Sequence, residues 1–227
     1  MRQRSIHYAW VVAAVTFVIL LVTAGVRATP GVLMISLEGE FGWSRAVISS
    51  AVAINIALFG LIGPFAASVM DRWGVRRVLL GAVALLAVSV SLTTQMRSQW
   101  HLTLLWGVLV GTGTGVTSMV LAAIIANRWF DERRGLVLGV LSAANATGQL
   151  IFLPVLASMV AAYGWRAAAL VVAAAAVGVF AIVLVFMRDR PEDLGLLPYG
   201  RAAHAHVPQT PALAPLAALG SGKDHQP

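Results

Sequence analysis

Apolar residues in this chain do not alternate with polar ones at the two-residue period of a strand. They run in six long stretches separated by short polar turns, near Tyr8–Leu37, Ser44–Met70, Arg77–Thr94, Leu102–Ala126, Gly135–Ala162 and Arg166–Met187. Each stretch is long enough to cross a hydrocarbon layer ~30 Å thick, which takes about 20 helical residues. In lipid the backbone must satisfy its own polar groups, and the stretches lack the alternation of barrel strands, so the pattern predicts six membrane-spanning helices. The first stretch follows Met1-Arg2-Gln3-Arg4, as a secretory leader would, but its length and the five runs behind it predict a retained span.

Composition agrees and narrows the solvent. Of 227 residues, 59% are hydrophobic and 11% charged, too few charges to cover a water-soluble surface, so the main partner is the lipid bilayer. The net charge of +7 does not point to nucleic acid, because the basic residues sit in short turns rather than on one polar face. The chain has no cysteine, which excludes disulfides, thiolate chemistry and cysteine-ligated metals. No His-Glu-x-x-His pattern, phosphate-binding Gly-Lys loop or nucleophile–base pair suggests an enzyme, and no cofactor is expected.

Arginine placement predicts the topology. Arg2, Arg4, Arg72, Arg76, Arg77, Arg128, Arg133, Arg134, Arg188 and Arg190 fall on one side; Arg45, Arg97 and Arg166 fall on the other. The richer side is cytoplasmic by the positive-inside rule, so both termini are expected inside, in a cell (inner) membrane. Tryptophans near the span ends (Trp10, Trp43, Trp73, Trp100, Trp129, Trp165) suit an interfacial belt. The six-span bundle is assigned to residues 1–197. The Ala- and Pro-rich stretch 198–227, with His204, His206 and His225, reads as a flexible, disordered cytoplasmic tail or inter-bundle linker.

Sliding the chain by about 90 positions superposes its halves. Trp10 falls on Trp100, Gly25 on Gly115, Asn55 on Asn145, Pro64 on Pro154, Gly74 on Gly164 and Arg76 on Arg166. Units of about 1–97 and 98–190 would each hold three spans. Three is odd, so the second unit enters the membrane inverted, as in secondary transporters. The acidic position of the turn after span two becomes Ala161 in the second unit, which predicts a charged latch at the cytoplasmic side alone.

The turn Ala67-Ser68-Val69-Met70-Asp71-Arg72-Trp73-Gly74-Val75-Arg76-Arg77 resembles the G-x-x-x-D-R-x-G-R-R motif of the major facilitator superfamily. The run from Trp129-Phe130-Asp131-Glu132-Arg133-Arg134 to Ala144 resembles the entry into span five of its monocarboxylate-transporter-like branch. Phe41-Gly42-Trp43-Ser44-Arg45 and Arg188-Asp189-Arg190-Pro191-Glu192-Asp193-Leu194-Gly195 look like bacterial members of that branch. The resemblance covers residues 5 to about 200 and implies an all-α six-helix bundle, the N-terminal half of a transporter of about twelve spans. Gly107, where drug–proton antiporters carry an arginine, disfavours a multidrug antiporter.

Individual residues sharpen this expectation. Arg27 lies deep in the first span, where a charge costs ~2.5–3.5 kcal/mol on insertion scales and therefore faces a cavity or a partner, or snorkels outward past Pro30. Its donor fork suits a carboxylate. Asn55, Asn145 and Gln149 are amides inside spans two and five, either lining the same cavity as substrate contacts or hydrogen-bonding between helices. Gly107, Gly111 and Gly115 form a small-residue stripe for close helix packing. Asp71, Arg72, Gly74, Arg76 and Arg77 read as a gating latch or as plain topology, and Arg133 and Arg134 have the same two readings. Glu38 and Glu40 are expected to be solvated. The resemblance implies that spans one, two, four and five line the path while three and six face lipid.

The chain is therefore expected to move a small organic anion, monocarboxylate-like, by alternating access, with a second six-span bundle (a missing half or a second copy) as partner. Monocarboxylate transporters are generally proton symporters, yet no Asp, Glu or His lies centrally in any span, so a coupling carboxylate would belong to that partner. The alternative is a truncated or scaffold membrane protein without transport of its own.

Overall fold

The computed structural model describes residues 7–201; the expectations for Arg2, Arg4 and 202–227 lie outside the described residues. Six helices are long and apolar enough to cross a membrane: α1 (Tyr8–Phe41), α2 (Arg45–Trp73), α3 (Val75–Thr93), α4 (Gln99–Trp129), α5 (Arg134–Tyr163) and α6 (Trp165–Phe186). They match the six apolar stretches to within a few residues. Consecutive helices are joined by short turns. Gly74 and Gly164 are each the single residue between two helices, at φ +89° and +82°, a backbone region that a Cβ makes costly. These are the glycines that superpose in the sequence repeat.

The packing has the two-fold pattern that an inverted repeat demands. α1 packs chiefly on α5, α2 on α4, and α3 on α6. Exchanging the first three helices with the last three maps this set of pairs onto itself. The correspondence extends to atoms. The Arg76 guanidinium donates to the Leu184 carbonyl near the end of α6 (2.6 Å), and Arg166 donates to the Thr94 carbonyl at the end of α3 (3.2 Å). Donor and acceptor pairs are both about 90 residues apart. Gly25 faces Phe152 in one half and Gly115 faces Ile62 in the other. At a lower rung the glycine changes sides: Gly148 lies against the Leu21 backbone carbonyl and Ala24, and Gly111 against Leu58 and the Asn55 backbone.

The core lies around α1 and α4, while α2 and α5 leave large apolar side chains exposed, including Ile56, Leu61, Phe65, Leu150 and Ile151. α4 is irregular in two places. Thr103–Val110 is π-helical, and the helix breaks at Thr117–Ser118 before restarting over Met119–Trp129. Ser118 is extended and accepts from the Val120 amide (3.4 Å), a serine cap on an internal helix start.

Past α6 the chain crosses the arginine-rich end of the bundle. Asp189 accepts from the Arg76 amide at the start of α3 (2.7 Å), where it meets the unsatisfied N–H groups and positive end of that helix. After a 3₁₀ turn at Pro191–Leu194, the Tyr199 amide donates to the Trp129 carbonyl (2.8 Å) and its own carbonyl accepts from Asp131 (2.8 Å). The Tyr199 ring contacts His7, Trp10 and Phe130. Ordered contacts thus reach Arg201, four residues past the expected boundary at 197.

Candidate functional site

Arg27 projects from α1 into a small cavity of about 20 Å³ between α1, α2, α4 and α5, roughly the room one water needs. Its guanidinium lies 3.9 Å from the centre of the Phe59 ring, a cation–π contact, and makes no hydrogen bond or ion pair among the described residues. Thr23, Thr114, Thr117, Ser118 and Asn145 supply the rest of the polar lining. The threonine hydroxyls donate to carbonyls of their own helices, as Thr114 does to Val110 (2.9 Å), leaving oxygen lone pairs rather than protons for the cavity. The donors in the cavity are therefore a cation, an amide and one serine hydroxyl, set beside threonine oxygens that can only accept and the apolar Leu20, Ala24, Phe59 and Met119.

Of the amides named from sequence, Asn145 joins Arg27 in the cavity lining. Gln149 lies one turn further along α5, partly buried and outside that lining. Asn55 takes the second of the two roles open to it from sequence: it is 5% exposed, lies outside that lining, and its Nδ2 donates to the Trp106 carbonyl (2.8 Å), an interhelical bond inside the π-helical stretch. The glycine stripe of α4 faces α2 at close range. A Cβ on Gly107 would come 3.1 Å from the Ala51 carbonyl oxygen, on Gly111 2.9 Å from Asn55 Cα, and on Gly115 2.9 Å from Ile62. Sequence reasoning missed Phe59, Thr117 and Ser118. The signal available was a serine in the middle of an apolar span, which favours a helix start.

Charged clusters tie both ends of the bundle. At the arginine-rich end Asp71, at the end of α2, pairs with Arg128 at the end of α4 rather than with Arg72, Arg76 or Arg77. Arg72 and Arg77 are exposed, and Arg76 is spent on α6. Arg133 starts α5 at φ +60° with its side chain exposed, whereas Arg134 holds the Phe130 carbonyl and Asp131 (2.7 Å). Asp131 also accepts from Arg201 (2.7 Å). That hydrogen bond, helped by Arg134, holds its carboxyl below the ordinary 3.8. At the opposite end Glu38 pairs with Arg45 (2.8 Å), and Glu40 binds Arg166 (2.6 Å) and the Trp165 indole N–H. Glu40 is exposed, as a solvated residue would be, and Glu38 is partly covered; both are also ion-paired, which corrects the reading of a charged tie at one end alone: position 161 lost its carboxylate, but α1 supplies another.

Two triplets of apolar, membrane-length helices thus surround a small cavity whose arginine has no ion pair among the described residues, a bundle of the kind found in integral membrane proteins. The chain belongs to the major facilitator superfamily, whose sequence profile matches residues 15–221. It is 28% identical to monocarboxylate transporter 11 of Mus musculus over 95% of this chain and 45% of that protein. It is also 28% identical to the uncharacterized MFS-type transporter YcxA of Bacillus subtilis (strain 168), over 83% of this chain and 46% of the relative. The inward-open structure of the xylose transporter XylE from E. coli superposes with a TM-score of 0.68 at 18% identity, over 81% of this chain and 49% of that one. The chain spans about half the length of the curated relatives it matches.

Proposed function

We propose that this chain forms one bundle of a secondary transporter for a small organic anion of the monocarboxylate type, with Arg27 as the carboxylate-binding group. The unpaired guanidinium in the Arg27 cavity carries the reading. A cation held between helices without a counter-charge is a receptor for one. Asn145 and Ser118 add hydrogen bonds that orient the carboxylate, and Phe59 keeps the guanidinium plane turned toward the cavity. The curated relatives that bear the name monocarboxylate transporter support the same substrate class.

A cavity of this size holds a water rather than an organic acid, so substrate occupies a space that a second six-span bundle completes. The exposed apolar faces of α2 and α5 are where that bundle packs. The Asp71–Arg128 pair and the Arg134–Asp131–Arg201 cluster stiffen the end that faces the cytoplasm, and the two bundles rock about the site.

Uptake of labelled monocarboxylates into cells expressing the chain, against their uncharged amide analogues, tests the reading. Saturable uptake of the acids alone is the expected result; equal handling of acid and amide refutes carboxylate recognition. Crosslinking in native membranes identifies whether the second bundle is another copy of this chain.

A further inference from the structure

We propose that Asn55 is a positioning residue that sets the register in which α4 presents Thr114, Thr117 and Ser118 to the Arg27 cavity. The proposal rests on reading that cavity as the substrate site. A π-helical stretch accommodates one residue more than a regular helix of the same length, so it turns everything beyond it by about 100° relative to an unbroken α-helix. It also disturbs the i→i+4 ladder and leaves carbonyls in need of donors.

In this chain the stretch is Thr103–Val110, and the Trp106 carbonyl inside it receives the Asn55 amide at 2.8 Å. Asn55 comes from α2, which the glycines at 107 and 111 bring to backbone contact with α4. A Cβ on Gly111 would come 3.0 Å from the Asn55 carbonyl oxygen. The indole N–H of Trp106 is buried with no hydrogen-bond partner among the described residues, which leaves the Asn55 bond as the polar tie from this residue to a neighbouring helix. The cavity side of α4 begins at Thr114, one turn past the stretch. Asn55 therefore acts on the cavity through helix register without touching it. The stripe and the amide work together: the stripe brings the helices close, and the amide selects the phase.

A suppressor experiment separates this role from simple packing. Leucine at position 55 keeps the branched shape and the number of side-chain heavy atoms, is bulkier, and has no donor. In Asn55→Leu, α4 relaxes to a regular helix and its second half turns by one position. Deleting Leu104, which is 53% exposed within the stretch, removes the extra residue and restores the phase without the amide. The chain has no cysteine, so single cysteines at Thr117, Ser118, Met119, Val120 and Leu121 can be scanned with a small thiol reagent without background.

In the parent protein the reactive position is Met119, 40% exposed, while Leu121 is fully buried. The expected result is that reactivity moves off Met119 in Asn55→Leu and returns to it in Asn55→Leu with Leu104 deleted. If the single variant does not fold, recovery of monodisperse protein in the double variant is the expected result. Reactivity that stays at Met119 in folded Asn55→Leu, or a double variant no better than the single one, overturns the proposal. These labelling outcomes stand whether or not the protein carries monocarboxylates. The uptake KM of the same variants should rise and recover in step with the labelling, which tests the link to the substrate site separately.

Discussion

Replacing Arg27 by glutamine distinguishes a binding group from a structural one, because the two roles predict opposite signs for stability. A charge at the centre of a membrane span costs ~2.5–3.5 kcal/mol on insertion scales, and a partly buried one bears about half of that. Among the described residues its compensation is the Phe59 ring, about 0.5–2 kcal/mol for a cation–π contact. These nearly cancel, so Arg27→Gln should be as stable as the parent or up to about 1 kcal/mol more stable by thermal unfolding in detergent. For transport the sign reverses. A hydrogen bond to a charged group contributes ~1.5–3 kcal/mol, so losing the guanidinium–carboxylate contact should raise KM by roughly 10- to 150-fold for a monocarboxylate. Arg27→Lys keeps the charge but loses the fork, and should fall between the two. Paired measurements of melting temperature and uptake kinetics check this. A variant that melts well below the parent, or one that transports normally, refutes the assignment.

The end clusters and the rungs make further predictions. Gly148→Ala puts a Cβ within 2.3 Å of the Leu21 carbonyl oxygen, a backbone atom that cannot step aside, so it should destabilise the α1–α5 pair by about 1–3 kcal/mol or more, read by denaturation. Gly139→Ala on the same helix, with open space around it, should be neutral in that assay. Asp189→Ala removes the carboxylate from the start of α3 and should lower stability by about 1 kcal/mol, as loss of a helix cap does. The carboxyl of Asp131 titrates below its unfolded value, so its tie to Arg201 and Arg134 is complete above pH 3.8 and is lost as pH falls through the lower, folded value. Protection of the Tyr199 amide against exchange, relative to the intrinsic rate at each pH, should fall over that acid range, and Asp131→Asn should bring the lower protection to neutral pH; an amide equally protected in both proteins would show that the ion pairs do not hold the segment.

How much of this was legible in the sequence depends on the range of the interaction. The spans were legible because a run of apolar residues reports its solvent locally. Gly74 and Gly164 were legible as matches because each makes a turn between adjacent helices, and Arg76 and Arg166 because they follow those glycines at the same spacing, although the carbonyls they bond lie 108 and 72 residues away. Arg27 stood out since a charge in lipid always needs an explanation. Asn55 was ambiguous for a physical reason: an amide serves a cavity or a neighbouring helix equally well. The choice was made by a π-helical stretch some 50 residues away, which no periodicity reveals. Asp189 and Tyr199 were hidden likewise. Their partners lie 113 and about 70 residues distant, and a charged, proline-containing stretch after the last span reads as a linker.

The rungs between the two triplets also bear on how such a bundle could arise. At the Gly25–Phe152 and Gly115–Ile62 rung, both units keep the small residue on their first helix. At the next rung the arrangement crosses over: Leu21 of the first unit meets Gly148, whereas Gly111 of the second meets Leu58. Two copies of the first unit would put a leucine where Gly148 meets the Leu21 backbone carbonyl, and two copies of the second would set Gly111 against Gly148, a pairing that neither half of this bundle uses. The duplicated triplets have become lock and key to one another. Neither can stand in for its twin, and a split version of this bundle should reassemble only from one fragment of each kind.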